Sequence, residues 1–125
     1  MNNDRLPPND VDAEEAVIGS LLIDSESMHK VAVMLSSGDF FRDKNRWAFQ
    51  SCLDLHERNE AINQITVAQE LAREGKLEAL GGAAYLSHLA SQVPTSVHIE
   101  YYAQIVNRLS MMRHLIDAAE RISTI

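Results

Sequence analysis

Five histidines, one cysteine and eighteen acidic residues are the side chains from which this 125-residue chain could build chemistry. A metal site needs ligands that the fold can bring to one point, often two from one helical turn. His29, His56, His88, His98 and His114 are far apart, no two share such a turn, and Cys52 has no second cysteine to join it. A zinc site would need a distant assembly, so the histidines are expected at the surface or its boundary. Cys52 reads as a small buried hydrophobe, since nothing in the sequence supplies a base to activate it. Glu14-Glu15 and the stretch Glu57 to Glu60 offer carboxylates. Adjacent acids on a helix point in different directions, however, and these are expected to serve solubility. A phosphate-cradling loop needs glycine, four residues, then glycine, lysine and a hydroxyl. Gly75-Lys76 is followed by Leu77 and has Glu70 where the first glycine belongs. The sequence therefore predicts no catalytic residue, no cofactor site and no metal site.

Charge narrows the partners. The formal net charge is -7, whereas a domain that grips phosphates carries a basic face able to neutralise several of them. Arg42, Lys44 and Arg46 cluster, but Asp39 and Asp43 are interleaved with them, which suits a solvated helix face. No direct nucleic-acid contact is expected. No apolar run approaches the ~20 residues that a membrane helix needs. One cysteine cannot close an internal disulfide, and no secretory leader precedes Arg5, so the cytoplasm is the expected location. Apolar residues at 46% and charged residues at 23% are ordinary for a chain that folds around a single core.

The elements that would position these groups are all helical. Residues 1–9, with Pro7-Pro8, are expected to form an extended, mobile arm. Asp10 is placed to cap a first helix whose Ala13, Val17, Leu21 row and Ile18, Leu22 row make one broad apolar face. Asp24 or Ser25 would cap a second helix through Met28, Val31, Ala32 and Leu35, ended by Ser36-Ser37-Gly38. Phe40, Phe41, Trp47 and Phe49 should anchor the core around a third helix that Asp43 caps and that runs to about Arg58. Thr66 and Gln69 have capping-box spacing for a fourth helix over Val67 to Glu74, stopped by Gly75. Gly81-Gly82 separates a short turn from a fifth helix, Ala83 to Ser91. Residues 10–94 would thus form a globular head.

The remainder, residues 95–125, differs in kind. Thr95 or Ser96 would cap a helix that meets no glycine or proline before Ile125, about 28 residues or roughly 42 Å. Tyr102, Ile105, Leu109, Met112, Ile116 and Ala119 repeat at alternating spacings of three and four, which keeps a seam facing a partner helix. Val106, Leu115 and Ile122 widen that face. Packing on its own head is the commoner fate of such a helix. Its length and its uncapped end, where a longer protein is expected to continue, favour a shared interface.

Read in order, these residues resemble a known family. The run Arg5-Leu6-Pro7-Pro8-Asn9-Asp10 leads into Ala13-Glu14-Glu15-Ala16-Val17-Ile18-Gly19-Ser20-Leu21-Leu22-Ile23-Asp24. Asp39-Phe40-Phe41, Gly81-Gly82-Ala83-Ala84-Tyr85-Leu86, Val93-Pro94-Thr95 and Tyr101-Tyr102-Ala103-Gln104-Ile105-Val106 follow, then Arg113, Leu115-Ile116 and Ala118-Ala119. Together they resemble the N-terminal domain of bacterial DnaB-type replicative helicases over nearly the whole chain. The resemblance implies a helical head followed by the first helix of a hairpin, joined in the parent protein to a RecA-like motor that would bind ATP and magnesium. It also implies dimers arranged as a trimer-of-dimers collar, docking of primase, and in some members docking of a helicase loader. This sequence departs from the family at His98, where Asn is frequent, at Asn45, where His is frequent, and at Leu109, where a basic residue is common. Two other classes compete: a small helical DNA-binding regulator, supported only by the Arg42 to Arg46 cluster, and a helical metal-dependent enzyme, which would show bound metal.

Overall fold

The first ordered turn depends on Asp10, whose Oδ1 accepts the Ala13 amide at 3.0 Å and so caps α1, Val11–Ile23. A computed structural model describes residues 6–123, and within them every regular element is helical. Residues 1–5 of the expected arm, and Ile125, lie outside the described residues. Every residue of α1 from Ala13 to Leu22 is buried, so the helix is a central post rather than a surface helix with one apolar face. The other helices pack around it: α3 (Asp43–Glu57), α6 (Gly82–Ser91) and α7 (Ile99–Ser123) touch it directly. Gly19 allows the closest approach. A Cβ there would collide with the Leu89 carbonyl of α6.

The expected second helix is broken. Asp24 caps a 3-10 turn, Ser25–Ser27, by accepting the Glu26 amide, and the Ser27 hydroxyl donates to the Asp24 carbonyl at 2.7 Å. α2 keeps only Met28–Val31. These short-range side-chain bonds compete with the helical ladder. A second 3-10 turn, Ser37–Asp39, is closed by the Asp39 carboxylate accepting the Ser36 amide at 2.8 Å. Two caps also differ from expectation. Arg42, not Asp43, is the N-cap of α3, and Asp43 is its first residue. α4, Gln64–Arg73, starts three residues early because Asn63 accepts the Ile65 and Thr66 amides while Thr66 Oγ1 accepts the Asn63 amide. Asn is at least as good a cap as Thr, and Asn63-Thr66 has the same spacing as Thr66-Gln69. α5, Leu77–Leu80, ends at Gly81.

The core lies between α1, α3, α4, α6 and the first half of α7, where Phe40 and Phe49 meet at 4.7 Å between ring centroids. Phe41 and Trp47, also expected as core anchors, are only half-buried; Trp47 still packs against the core, and Phe41 does not join it. Each carries a cation on its face: the Arg113 guanidinium on Phe41 and the Lys76 ammonium on Trp47. Among the described residues, no helix is long and apolar enough to cross a membrane.

Candidate partner interface

α7 has two halves with opposite allegiances. Over its first three turns Ile99, Ala103, Val106 and Ser110 are buried against the head, at the three- and four-residue spacing of one helix face. Continued along the helix at 3.6 residues per turn, that line meets Arg113, His114, Asp117 and Arg121. The side that faced the core has become polar, and Arg121 pairs with Asp117 at 3.0 Å. The apolar side chains of this distal half, Met111, Met112, Leu115, Ile116 and Ile122, lie on the roughly opposite side. They are 42% to 73% exposed. An apolar face turned away from its own core is what a docking surface requires and what a monomer gains nothing from.

Three side chains fix where this half leaves the head. Asn107 donates to the Met34 carbonyl at 3.2 Å, and Ser110 donates to Asp39 Oδ1 at 2.8 Å. Arg113 donates from Nη2 to the Asp39 carbonyl at 2.7 Å and from Nη1 to the Pro8 carbonyl at 2.8 Å. A rigid attachment makes the direction of the free half a property of the fold. Asp39 is thereby used twice, to close its own turn and to hold α7.

The expected seam runs along the flank between these two faces. Tyr102 and Ile105 are half-buried against the core, Leu109 is half-buried, and Met112, Ile116 and Ala119 are exposed. The six residues share one stripe that begins beside the head and continues onto the free half. Of the second row, Val106 is buried in the head while Leu115 and Ile122 are exposed. The helix begins at Ile99; of the two expected caps, Thr95 Oγ1 accepts the Val97 amide at 3.2 Å, ahead of the helix, and Ser96 donates to Asp24 Oδ2 at 2.6 Å.

What the sequence concealed is the role of the paired glutamates. Glu14 and Glu15 are buried, Glu14 to 2% exposure, and do not serve solubility. Glu14 accepts the Phe41 amide at 2.6 Å, the Arg42 amide at 3.4 Å and the Asn45 side-chain amide at 3.0 Å. A carboxylate from α1 thus supplies the anion at the positive end of α3, which has no side-chain cap of its own. Tyr85 donates its hydroxyl to Asn45 Oδ1 at 2.7 Å. Burial and the neighbouring Glu15 push the Tyr85 phenol up to about 12. Glu15 pairs with Arg42 at 3.3 Å and lies 3.2 Å from His88 Nε2. The basic cluster is consumed in the same way: Arg46 bonds the Phe40 and Phe41 carbonyls and pairs with Asp43, and Lys44 sits over the Tyr85 ring. Asn45 gives one hydrogen bond to Glu14 and accepts one from Tyr85, two roles that a neutral imidazole could also fill.

Burial pushes the Cys52 thiol up to about 12, so it is not a thiolate at neutral pH. The fold brings His29 and His56 edge to face at 4.9 Å, a pairing invisible in the spacing. Among the described residues, no group of three or more His, Cys, Asp or Glu could hold a metal ion.

An all-helical head bearing a latched long helix with an outward apolar side defines the class as a small all-helical domain. The chain belongs to the DnaB-like helicase N terminal domain family, whose model matches residues 6–108. It is similar to the replicative DNA helicase DnaC of Bacillus subtilis, at 39% identity over 121 residues, covering 97% of this chain and 27% of that protein. It is also similar to the crystal structure of the N-terminal domain of DnaB helicase from Mycobacterium tuberculosis. The TM-score is 0.93 at 39% identity, covering 95% of this chain and 84% of that one. A third match is a DnaB-like replicative helicase described with its interactions with primase, with TM-score 0.80 and 28% identity over 92% of this chain and 27% of that one. The chain spans about a quarter of the length of the curated helicase it matches, 27% in the Bacillus case.

Proposed function

We propose that this segment is the non-catalytic assembly and partner-recruitment domain of a hexameric replicative DNA helicase working in the cytoplasm. The distal half of α7 carries the proposal: its apolar side chains point away from the core of the described residues. In this reading Tyr102, Ile105, Leu109, Met112, Ile116 and Ala119 line the contact with a neighbouring helix. The domains pair and build a trimer-of-dimers collar, and the collar offers sites to primase and, in some members, to a loader. Unwinding, with ATP and magnesium, belongs to a motor domain outside this sequence. The segment itself hydrolyses no ATP and makes no direct contact with nucleic acid, in keeping with its net charge of -7.

The test is sedimentation velocity over a wide concentration range, comparing the wild type with a Met112→Glu/Ile116→Glu variant. Both side chains are exposed, so the head keeps its circular dichroism and melting. We expect the wild-type mass to rise with concentration and the variant to remain a monomer. Identical monomer profiles for the two at millimolar concentration overturn the assembly reading.

A further inference from the structure

The spacing of the histidines gives no metal site within one helical turn, but the fold seats two of them side by side. His29 comes from α2 and His56 from the last turn of α3. Their ring centroids are 4.9 Å apart and the ring planes cross at 78°. Both line an open cavity of 330 Å³, together with Ser25 and Glu26 of the first 3-10 turn and the residues that follow α3. Glu26 Oε2 stands 3.5 Å from His29 Nε2. Glu60, also on the wall, is engaged by Arg58 at 2.8 Å. Among the described residues no lysine or arginine lines the cavity, so nothing cationic opposes an ion there.

We propose that His29 and His56 together hold one divalent transition-metal ion of the zinc class. An imidazole bound to zinc has its ring centre roughly 3.2 Å from the ion, and two of them at a tetrahedral angle stand roughly 5.2 Å apart. The pair is already close to that span, and His29, whose side chain is 68% exposed, is free to turn the remaining distance. Glu26 has the position of a carboxylate that orients a ligating imidazole through its other nitrogen. Among the described residues no third His, Cys, Asp or Glu completes the group, so the protein supplies two nitrogens and water fills the remaining positions. Imidazole nitrogens select zinc, nickel and copper over magnesium and calcium, which require oxygen ligands. The bound ion ties α2, a helix of only four residues, to the end of α3. No residue of α7 lines this cavity, so its occupation and the pairing of copies are separate events.

Titration of this chain with zinc, followed through the NMR signals of its five imidazole rings, tests this. We expect His29 and His56 to respond together at zinc concentrations about tenfold or more below those that move His88, His98 and His114. In His56→Gln the His29 ring should lose that early response, and in His29→Gln the His56 ring should lose it; circular dichroism verifies the fold of each variant, and His29, being largely exposed, can be replaced without disturbing the core. Zinc should also raise the wild-type melting temperature progressively with its concentration, whereas magnesium should not. Five rings that respond alike would show an adventitious ion only and overturn the proposal. No response at millimolar zinc, an early His29 response that survives His56→Gln, or an equal rise in melting temperature with magnesium overturns it as well.

Discussion

Arg113 on the last anchored turn of α7 donates to the backbone carbonyl of Asp39 at 2.7 Å, while the Asp39 carboxylate accepts from Ser110 one turn earlier. One residue of a 3-10 turn therefore holds α7 through both its main chain and its side chain. The same arginine reaches the Pro8 carbonyl, so the entry to α1, the loop before α3 and the exit of α7 meet at one point.

Arg113→Ala should loosen that point. Two carbonyls lose a charged donor, which costs about 2 kcal/mol, and the head core is untouched. The expected result is a modest fall in melting temperature together with faster amide hydrogen exchange over residues 110–117, where the wild type is anchored. Unchanged exchange in that stretch would show that the apolar contacts of Ile99, Ala103 and Val106 suffice to fix the helix.

Glu14→Ala should be far more costly than loss of an ordinary surface acid. It strips the anion from the entry of α3 and leaves buried amides and Asn45 without their acceptor, a loss of about 2–4 kcal/mol. Urea denaturation measures it. Asn45→His should be better tolerated than Asn45→Leu, because a neutral imidazole still offers a donor to Glu14 and an acceptor to Tyr85. Equal losses for the two Asn45 variants would deny the hydrogen-bond account.

Gly19→Ala should destabilise despite alanine's better helix propensity. The added methyl would meet the Leu89 carbonyl, and separating α1 from α6 costs about 1–3 kcal/mol, against a propensity gain of ~1 kcal/mol. A thermal melt above that of the wild type would mean the two helices are not held so closely.

Stability should fall at both ends of the pH scale. In acid, hydrogen bonds from Arg58, then from Arg73, hold the Glu70 carboxyl below its ordinary 4.5. The folded value is lowered, so this contribution is present above pH 4.5 and lost as pH falls through the depressed value. In alkali, Tyr85 is raised from 10 to about 12, so its contribution is intact below pH 10 and lost as pH rises towards 12. Urea midpoints against pH should show the gap between wild type and Glu70→Gln closing in acid. The gap to Tyr85→Phe should close in alkali. Parallel curves across either range would refute the corresponding assignment.

Residue types alone decided the helical class, the Asp10 cap, the burial of Cys52 and the long amphipathic final helix. Those depend on local spacing and on capping chemistry within a few residues, which a linear chain displays. Spacing also marked Tyr102, Ile105, Leu109, Met112, Ile116 and Ala119 as a stripe, but could not say where the head would stop covering it. That boundary falls near Ser110 because α1 and the Asp39 turn end there, a fact of tertiary packing. The paired glutamates and Phe41 were misread for the same reason. Whether a carboxylate is solvated or caps a helix from 27 residues away in the chain, and whether a ring joins the core or carries a cation, depends on which elements arrive beside it. Local sequence holds no record of that, and only the assembled helices supply it.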